Sequence, residues 1–188
     1  MLNAGCGTHY APGWVNCDVW EDALTHPDVR VKSGEPYPFE DGTFDAVFLG
    51  HVIEHIPWDA VPTFMNDMFR VAKKGAPILI VGPDVYRTIQ RWHEGQEPWH
   101  MVVSTMEHQD VNFQPGREGG DWVEAAHHWN CHEERVASLL TRLGKDYTSY
   151  SHVIPNDANG KEWFDPVTNI TWPVVGKYFW QFALLTHA

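Results

Sequence analysis

Basic side chains are scarce in this chain of 188 residues. It contains 13 Lys and Arg against 25 Asp and Glu, which gives a formal net charge of −12. Because proteins ordinarily attract nucleic-acid phosphates with Lys and Arg, this balance makes a free-standing nucleic-acid binder unlikely as a class, although it leaves room for a local basic patch.

Signals for disulfide formation, export and membrane insertion are also missing. The three cysteines, Cys6, Cys17 and Cys131, are odd in number and form no CxxC pair, which indicates reduced thiols and a cytoplasmic location. Met1 leads directly into an apolar segment without a basic region, and no apolar run reaches the roughly 18 residues that span a bilayer. We therefore expect one domain over residues 1–188 and no membrane partner.

Short apolar segments alternate with helical patterns, which is typical of an α/β fold. Strands are predicted over residues 1–4, 15–19, 29–32, 44–49, 78–81, 147–154 and 174–187. One helix is predicted to begin with Asp59 as its N-cap. A second is predicted to begin at Asn130, which has the capping-box spacing to Glu133, and to end before Gly144.

Residues 88–126 form a long segment that glycine and proline interrupt at Gly95, Pro98, Pro115-Gly116 and Gly119-Gly120. It also carries Trp92, Trp99, Phe113 and Trp122. Long segments without regular structure often serve as lids or binding loops. The chain is thus divided into an N-terminal part (1–87), a lid insertion (88–126) and a C-terminal part that completes the sheet (127–188).

The most informative motif is NAGCG at residues 3–7, followed by Asp18 eleven residues after Gly7. Glycines after a strand admit a ligand close to the backbone, and a carboxylate that closes the next strand can accept two ribose hydroxyls. A dinucleotide fingerprint needs a third glycine where Tyr10 stands and an acid about 20 residues on. A nicotinamide oxidoreductase is therefore disfavoured.

Four ordered motifs resemble those of class I S-adenosylmethionine (SAM) dependent methyltransferases, particularly the compact group whose first motif reads LNLGCGxxxxxGWxNVD. Besides residues 3–18, these are YPFEDGTFD at 37–45, HVIEHI at 51–56 and FRVAKKGAPILI at 69–80. The resemblance implies a Rossmann-like, mostly parallel seven-stranded sheet with helices on both faces and an antiparallel last strand.

The resemblance also implies SAM as the cofactor, residues 1–87 as the cofactor-binding half, and a set of cofactor-binding residues within that half. Asn3 stands where the family more often has Asp, and Ser33 replaces an acid that reads the adenine. Glu54 and His55 are expected to fix the turn into the next helix. The implied cofactor residues are Asn3, Ala4, Gly5, Cys6, Gly7, Asp18, Val19, Ser33, Gly34, Glu35 and His51.

Candidate catalytic residues come from the histidines. His51 follows the fourth strand, so it should lie near the transferable methyl group, where its ring could act as a general base or simply line the pocket. His127 and His128 could face the acceptor. No metal site is expected, because an N-cap at Asn130 would leave only His132 of the His128–His132 pair on a helix.

The sequence therefore predicts a methyltransferase that acts on a hydroxyl oxygen of a small molecule or glycan. Methylation of adenine N6 or cytosine N4 is disfavoured, because residues 50–53 (GHVI) do not carry the (D/N/S)PP(Y/F/W) motif of those enzymes. The alternatives are an acceptor that is protein or RNA, and a subunit that binds SAM without turnover.

Overall fold

Seven strands form one mixed sheet in the computed structural model, which describes residues 1–21, 25–107, 127–155, 162–173 and 180–188. The strand order is β3-β2-β1-β4-β5-β9-β6, where β1 to β5 are parallel and β9 runs antiparallel to both neighbours. This confirms the predicted α/β fold class with its antiparallel last strand.

In chain order the elements are β1 (Leu2–Ala4), β2 (Val15–Asp18), β3 (Val29–Arg30), β4 (Val47–Gly50), a single 3-10 turn (Ile53–His55), α1 (Val61–Val71), β5 (Pro77–Pro83), α2 (Val85–His93), α3 (Trp99–Glu107), α4 (Glu133–Arg142), β6 (Tyr147–Ser149), β7 (Trp163–Asp165), β8 (Ile170–Trp172) and β9 (Gln181–His187).

Alternate residues of the central strands enter two separate cores, as the two-residue period of a strand requires. In β4, Val47 and Leu49 belong to the first core, whereas Phe48 belongs to the second. The first core is completed by α1 and α4, which bury the following side chains against this face of the sheet: Val61, Met65, Met68, Val71, Val136, Leu139 and Leu140.

The second face of the sheet is covered differently from the first face, which packs against α1 and α4. Within the described part of the chain, its core contains side chains from the β7–β8 hairpin, from residues 11–14 and from residues 150–154, and none from a helix. The link from β1 to β2 is only residues 5–14, which form turns, so Ala11 and Trp14 pack where a crossover helix would otherwise lie. Trp172 of β8 is fully buried there.

Both predicted N-caps are wrong. The N-cap of α1 is Ala60 and not Asp59, and its side chain makes no capping hydrogen bond. The N-cap of α4 is His132 and not Asn130, and the predicted capping box does not form, because Glu133 binds tertiary partners instead. Its carboxylate accepts hydrogen bonds from Arg87 Nη2 (2.8 Å), Ser149 Oγ (2.5 Å) and Ser151 Oγ (2.7 Å).

The expectation of an irregular segment after residue 88 is also wrong for its first half, which is helical. α2 and α3 pack against each other, with Trp92 and Trp99 ring centroids 4.9 Å apart, and Gly95 makes the turn between them. Residues 108–126, including Phe113 and Trp122, lie outside the described residues. Several strands are shorter than predicted. β3 ends at Arg30, β4 begins at Val47, β6 ends at Ser149, and β9 begins at Gln181, with residues 174–179 not described.

Candidate active site

The switch in strand order lies between β1 and β4. From β1 the chain runs outward to β2 and β3, and then returns to place β4 on the other side of β1. Open α/β sheets bind ligands at the carboxyl ends of the strands at such a point. The two turns that leave these strands touch each other: Gly5 has φ +68°, and a Cβ added to it would overlap the Val52 side chain.

Asp18 ends β2 at the same edge, where 6% of it is exposed. Its Oδ2 accepts a hydrogen bond from the Gly7 amide (2.7 Å), and its Oδ1 accepts one from the Trp20 amide (2.9 Å). A carboxylate offers about four acceptor positions, so two remain for further donors. The structure therefore brings Asp18 and the glycine turn together and leaves the carboxylate capacity for hydroxyl groups.

Asn3 and Cys6 are held mainly by the protein itself. Asn3 Nδ2 donates to the His9 carbonyl (2.9 Å) and to Asn16 Oδ1 (3.0 Å), so its donor end is used within the fold. The Cys6 amide donates to the Cys17 carbonyl (2.9 Å). Burial raises the pKa of the Cys6 thiol to about 12, which keeps this thiol protonated at neutral pH.

The residues expected at the adenine lie at the ends of β2 and β3. Val19 is half-buried against the first core, whereas Ser33, Gly34 and Glu35 form an exposed turn. Glu35 Oε1 lies 3.4 Å from Lys32 Nζ, and both side chains are mostly exposed. A surface pair of this kind contributes little to stability, so Glu35 can change partners at small cost.

His51 is the best anchored of the candidate catalytic residues. It follows β4 with a left-handed backbone (φ +58°), and its Nδ1 lies 3.1 Å from Glu54 Oε1. Its Nε2 is in hydrogen-bond contact with the side-chain Nε2 of Gln181, which is the first residue of β9. A carboxylate accepts the proton of Nδ1–H, so Nε2 is the ring nitrogen that carries the lone pair.

Glu54 is completely buried. Burial raises the pKa of this carboxyl group, but the hydrogen bond from His51 and the electrostatic influence of His51, His55 and His127 outweigh burial and lower the pKa to about 2. A buried carboxylate on Nδ1 holds a histidine in one tautomer and stabilises its protonated form, as in base-assisted catalysis.

The segment 127–132 folds back against the turn that follows β4. The His128 amide donates to the Glu54 carbonyl (2.9 Å), and Trp129 Nε1 donates to the carbonyls of Ile53 (3.2 Å) and Ile56 (3.0 Å). His127 Nδ1 lies 2.9 Å from the Thr105 carbonyl, and its ring centroid lies 5.0 Å from that of His55. His127 and His128 thus lie beside the Glu54–His55 turn, and Glu54 of this turn contacts His51.

Three functional candidates were missed by the sequence analysis: His9, the partner role of Glu54, and Gln181. Burial and, secondarily, the electrostatic influence of His51 lower the pKa of His9, so the two rings are within range of each other's charge. The HVIEHI motif carried the signal for Glu54, since residues three apart in one helical turn lie on the same side. No local sequence pattern indicates Gln181, because its position beside His51 depends on the pairing of β9 with β5.

Comparison with known proteins finds a family match over the first part of the chain. Residues 2–80 match the family model for a methyltransferase domain. Similar solved structures include SAM-dependent methyltransferases from Archaeoglobus fulgidus (14% identity, TM-score 0.50, 100% of this chain and 85% of that one) and from Methanosarcina mazei (15%, 0.51, 99% and 90%). A third is the 1,6-didemethyltoxoflavin-N1-methyltransferase of Burkholderia thailandensis (14%, 0.51, 99% and 69%).

At these identities the solved structures show a shared fold, and the family match supplies the activity. Together they confirm the sequence-based prediction of a SAM-dependent methyltransferase with a Rossmann-like sheet. They leave the acceptor and the individual site residues as predictions. Among the residues that the structure describes, no helix has the length and apolar character needed to cross a membrane.

Proposed function

We propose that this methyltransferase acts on a hydroxyl oxygen of a small-molecule or glycan acceptor, with His51 as the general base. The observation that carries the proposal is the contact of His51 with buried Glu54 at the switch point of the sheet. His127 and His128 lie beside the turn that contains Glu54, and they are proposed to contact the acceptor. The buried, unpaired cysteines fit a cytoplasmic enzyme.

The glycine turn fits the methionine part of SAM. At Gly7 (φ +50°), apart from its chain neighbours, no described residue has a heavy atom within 4 Å of the Cβ position, so the backbone there is open to a ligand. Ala4, Gly5, Cys6 and Gly7 are proposed to line this part, and Asn3 can meet the ammonium only through its amide oxygen.

Asp18 is proposed to accept the ribose hydroxyls with its remaining acceptor positions. Val19 and the turn formed by Ser33, Gly34 and Glu35 are proposed to lie beside the adenine. When bound, SAM supplies an electrophilic methyl group on a positively charged sulfur.

The residues of this chain then have to orient the acceptor and remove its proton. His51 Nε2 takes the hydroxyl proton as the oxygen attacks, and the charge that forms on the ring is stabilised by Glu54. Gln181 must first yield its contact with Nε2 to the acceptor hydroxyl. General-base catalysis contributes typically ~10² to 10⁴-fold, and alignment supplies much of the remainder.

The test measures methyl transfer from labelled SAM to extracts separated into small molecules, glycans, protein and RNA. We expect label in the small-molecule or glycan fraction. His51→Ala should lower kcat at least 100-fold with little change in SAM affinity. His187→Ala is the matched control, because exposed His187 pairs with Pro77 at the opposite edge of the sheet.

Label found only in protein or RNA would contradict the proposed acceptor. SAM binding without transfer to any fraction would favour the alternative of a non-catalytic subunit. Near-wild-type kcat in His51→Ala would show that His51 is not the general base, and alignment of the acceptor would then be the source of catalysis.

A further inference from the structure

Two histidines and a buried glutamate converge beside the candidate active site. Glu54, His55 and His127 each place one possible ligand atom so that the three atoms lie within 4.8 Å of one another. We propose that these three residues bind a divalent transition-metal ion of the zinc type. This differs from the sequence-based expectation of no metal, which considered His128 with His132 and could not foresee that His127 meets the turn after β4.

The strongest observation is the second oxygen of the Glu54 carboxylate. Glu54 has no exposed surface, and its Oε1 is in contact with His51 Nδ1. Within the described residues, its Oε2 has no hydrogen-bond partner. A carboxyl oxygen buried without a hydrogen-bond partner is costly, and a bound cation would remove this cost.

The hydrogen bond of His127 to the backbone suits a metal ligand. Its Nδ1 donates to the Thr105 carbonyl at 2.9 Å, so the lone pair resides on Nε2. A hydrogen bond from the other ring nitrogen to a backbone carbonyl is a common way to fix the tautomer of a ligating histidine. The His55 ring lies edge-on to it, with ring centroids 5.0 Å apart.

The donor set selects the type of ion. Two imidazole nitrogens and one carboxylate oxygen suit zinc and its transition-metal neighbours better than Ca²⁺ or Mg²⁺, which prefer oxygen ligands. Ligands of a tetrahedral zinc ion lie ~3.3 Å apart, so binding must draw the three side chains closer together. Three protein ligands also leave a coordination position for water or another oxygen.

The test uses chelator-treated protein without SAM or acceptor, so its result does not depend on the proposed methyl transfer. Co²⁺ is titrated while its visible absorption is recorded, and Zn²⁺ binding is measured by calorimetry. We expect one ion per chain, and a rise in Tm when it binds. His127→Ala and Glu54→Gln should each weaken Zn²⁺ binding at least tenfold.

His187→Ala provides the control, since it also removes one histidine but lies at the opposite edge of the sheet. Each variant is first checked by its Tm, and His55→Ala replaces Glu54→Gln if that variant does not fold. The proposal is overturned if the wild-type protein binds neither ion at 100 times the protein concentration. It is equally overturned if His127→Ala binds as tightly as His187→Ala, because binding would then come from other histidines.

Discussion

At the scale of single residues, Gly5 joins the two turns of the candidate site. Its φ of +68° favours glycine, and any Cβ would overlap Val52. We expect Gly5→Ala to lower the free energy of unfolding by about 2–4 kcal/mol, since backbone strain and overpacking add. Urea denaturation measures this loss.

The variant Gly95→Ala separates the effect of backbone strain from the effect of overpacking. Gly95 also has a left-handed backbone (φ +72°), but among the residues that the structure describes, none beyond its chain neighbours comes within 4 Å of its Cβ position. Only backbone strain remains there, so the expected loss is about 1 kcal/mol. Equal losses in the two variants would show that the Val52 contact does not matter.

The three cysteines give a second prediction at this scale. Burial is the first cause that raises the pKa of Cys6 and of Cys17 to about 12, and the pKa of Cys131 also lies well above its ordinary value. Because the thiolate is the reactive form, the folded protein at pH 8 should resist iodoacetamide, whereas unfolded protein should take up three labels. Mass spectrometry counts the labels, and rapid labelling of folded Cys6 would contradict this account.

Much of the site was readable from residue types and spacing. The glycine turn and Asp18 are joined by the Gly7–Asp18 hydrogen bond, as an acid at the end of the neighbouring strand allows. The Glu54–His127 proximity was not readable, because 73 residues separate the two and no local rule relates them. Long-range contacts of this kind follow from packing, which a single sequence does not display.

At the scale of elements, α2 begins with a well-formed cap beside the candidate site. Asp84 Oδ1 accepts a hydrogen bond from the Arg87 amide (3.1 Å), and only 3% of Asp84 is exposed. We expect Asp84→Ala to cost about 1–2 kcal/mol of unfolding free energy, measured by urea denaturation.

Asp59→Ala is the matched control before α1. The structure gives α1 no side-chain cap, and Asp59 is exposed, so its removal should change stability by less than about 0.5 kcal/mol. If Asp59→Ala lost as much unfolding free energy as Asp84→Ala, the sequence-based prediction of Asp59 as the N-cap of α1 would be supported.

The helices show where sequence patterns succeed and fail. The apolar spacing of Val61, Phe64, Met68 and Val71 predicts one apolar face of α1, since this period follows from helix geometry. Val61, Met68 and Val71 are buried as expected, Phe64 is only partly buried, and Met65 is a buried residue that the pattern did not include. The start of α4 was misassigned because Glu133 binds Arg87 and two serines, and such tertiary partners override a local capping pattern. In the segment after residue 88, Gly95 turns the chain between two helices instead of ending regular structure.

At the scale of the whole molecule, the second face of the sheet depends on the β7–β8 hairpin. Trp172 has no exposed surface, and its ring centroid lies 5.8 Å from that of Trp14 and 6.4 Å from that of Phe48. We expect Trp172→Ala to lower the unfolding free energy by about 3–5 kcal/mol, since a large cavity remains. Thermal and urea unfolding both measure this loss.

Phe164→Ala tests the same hairpin at an exposed position. Phe164 of β7 is 55% exposed, so its removal should cost less than about 0.5 kcal/mol. If Trp172→Ala were equally mild, the hairpin would not contribute to the core. The sequence marked only a turn at Asp165-Pro166, because two three-residue strands are too short for a clear alternating pattern.

The central claim is that SAM binds at the carboxyl edge, between the glycine turn and Asp18. Isothermal calorimetry with SAM and S-adenosylhomocysteine tests it most directly. Asp18→Ala removes hydrogen bonds to a charged group worth roughly 1.5–3 kcal/mol each, so it should bind both ligands at least tenfold more weakly than wild type. Asp45→Ala, which removes an exposed acid before β4, should bind like wild type. Wild-type protein that binds neither ligand at millimolar concentration, or an Asp18→Ala variant with unchanged affinity, would contradict the account.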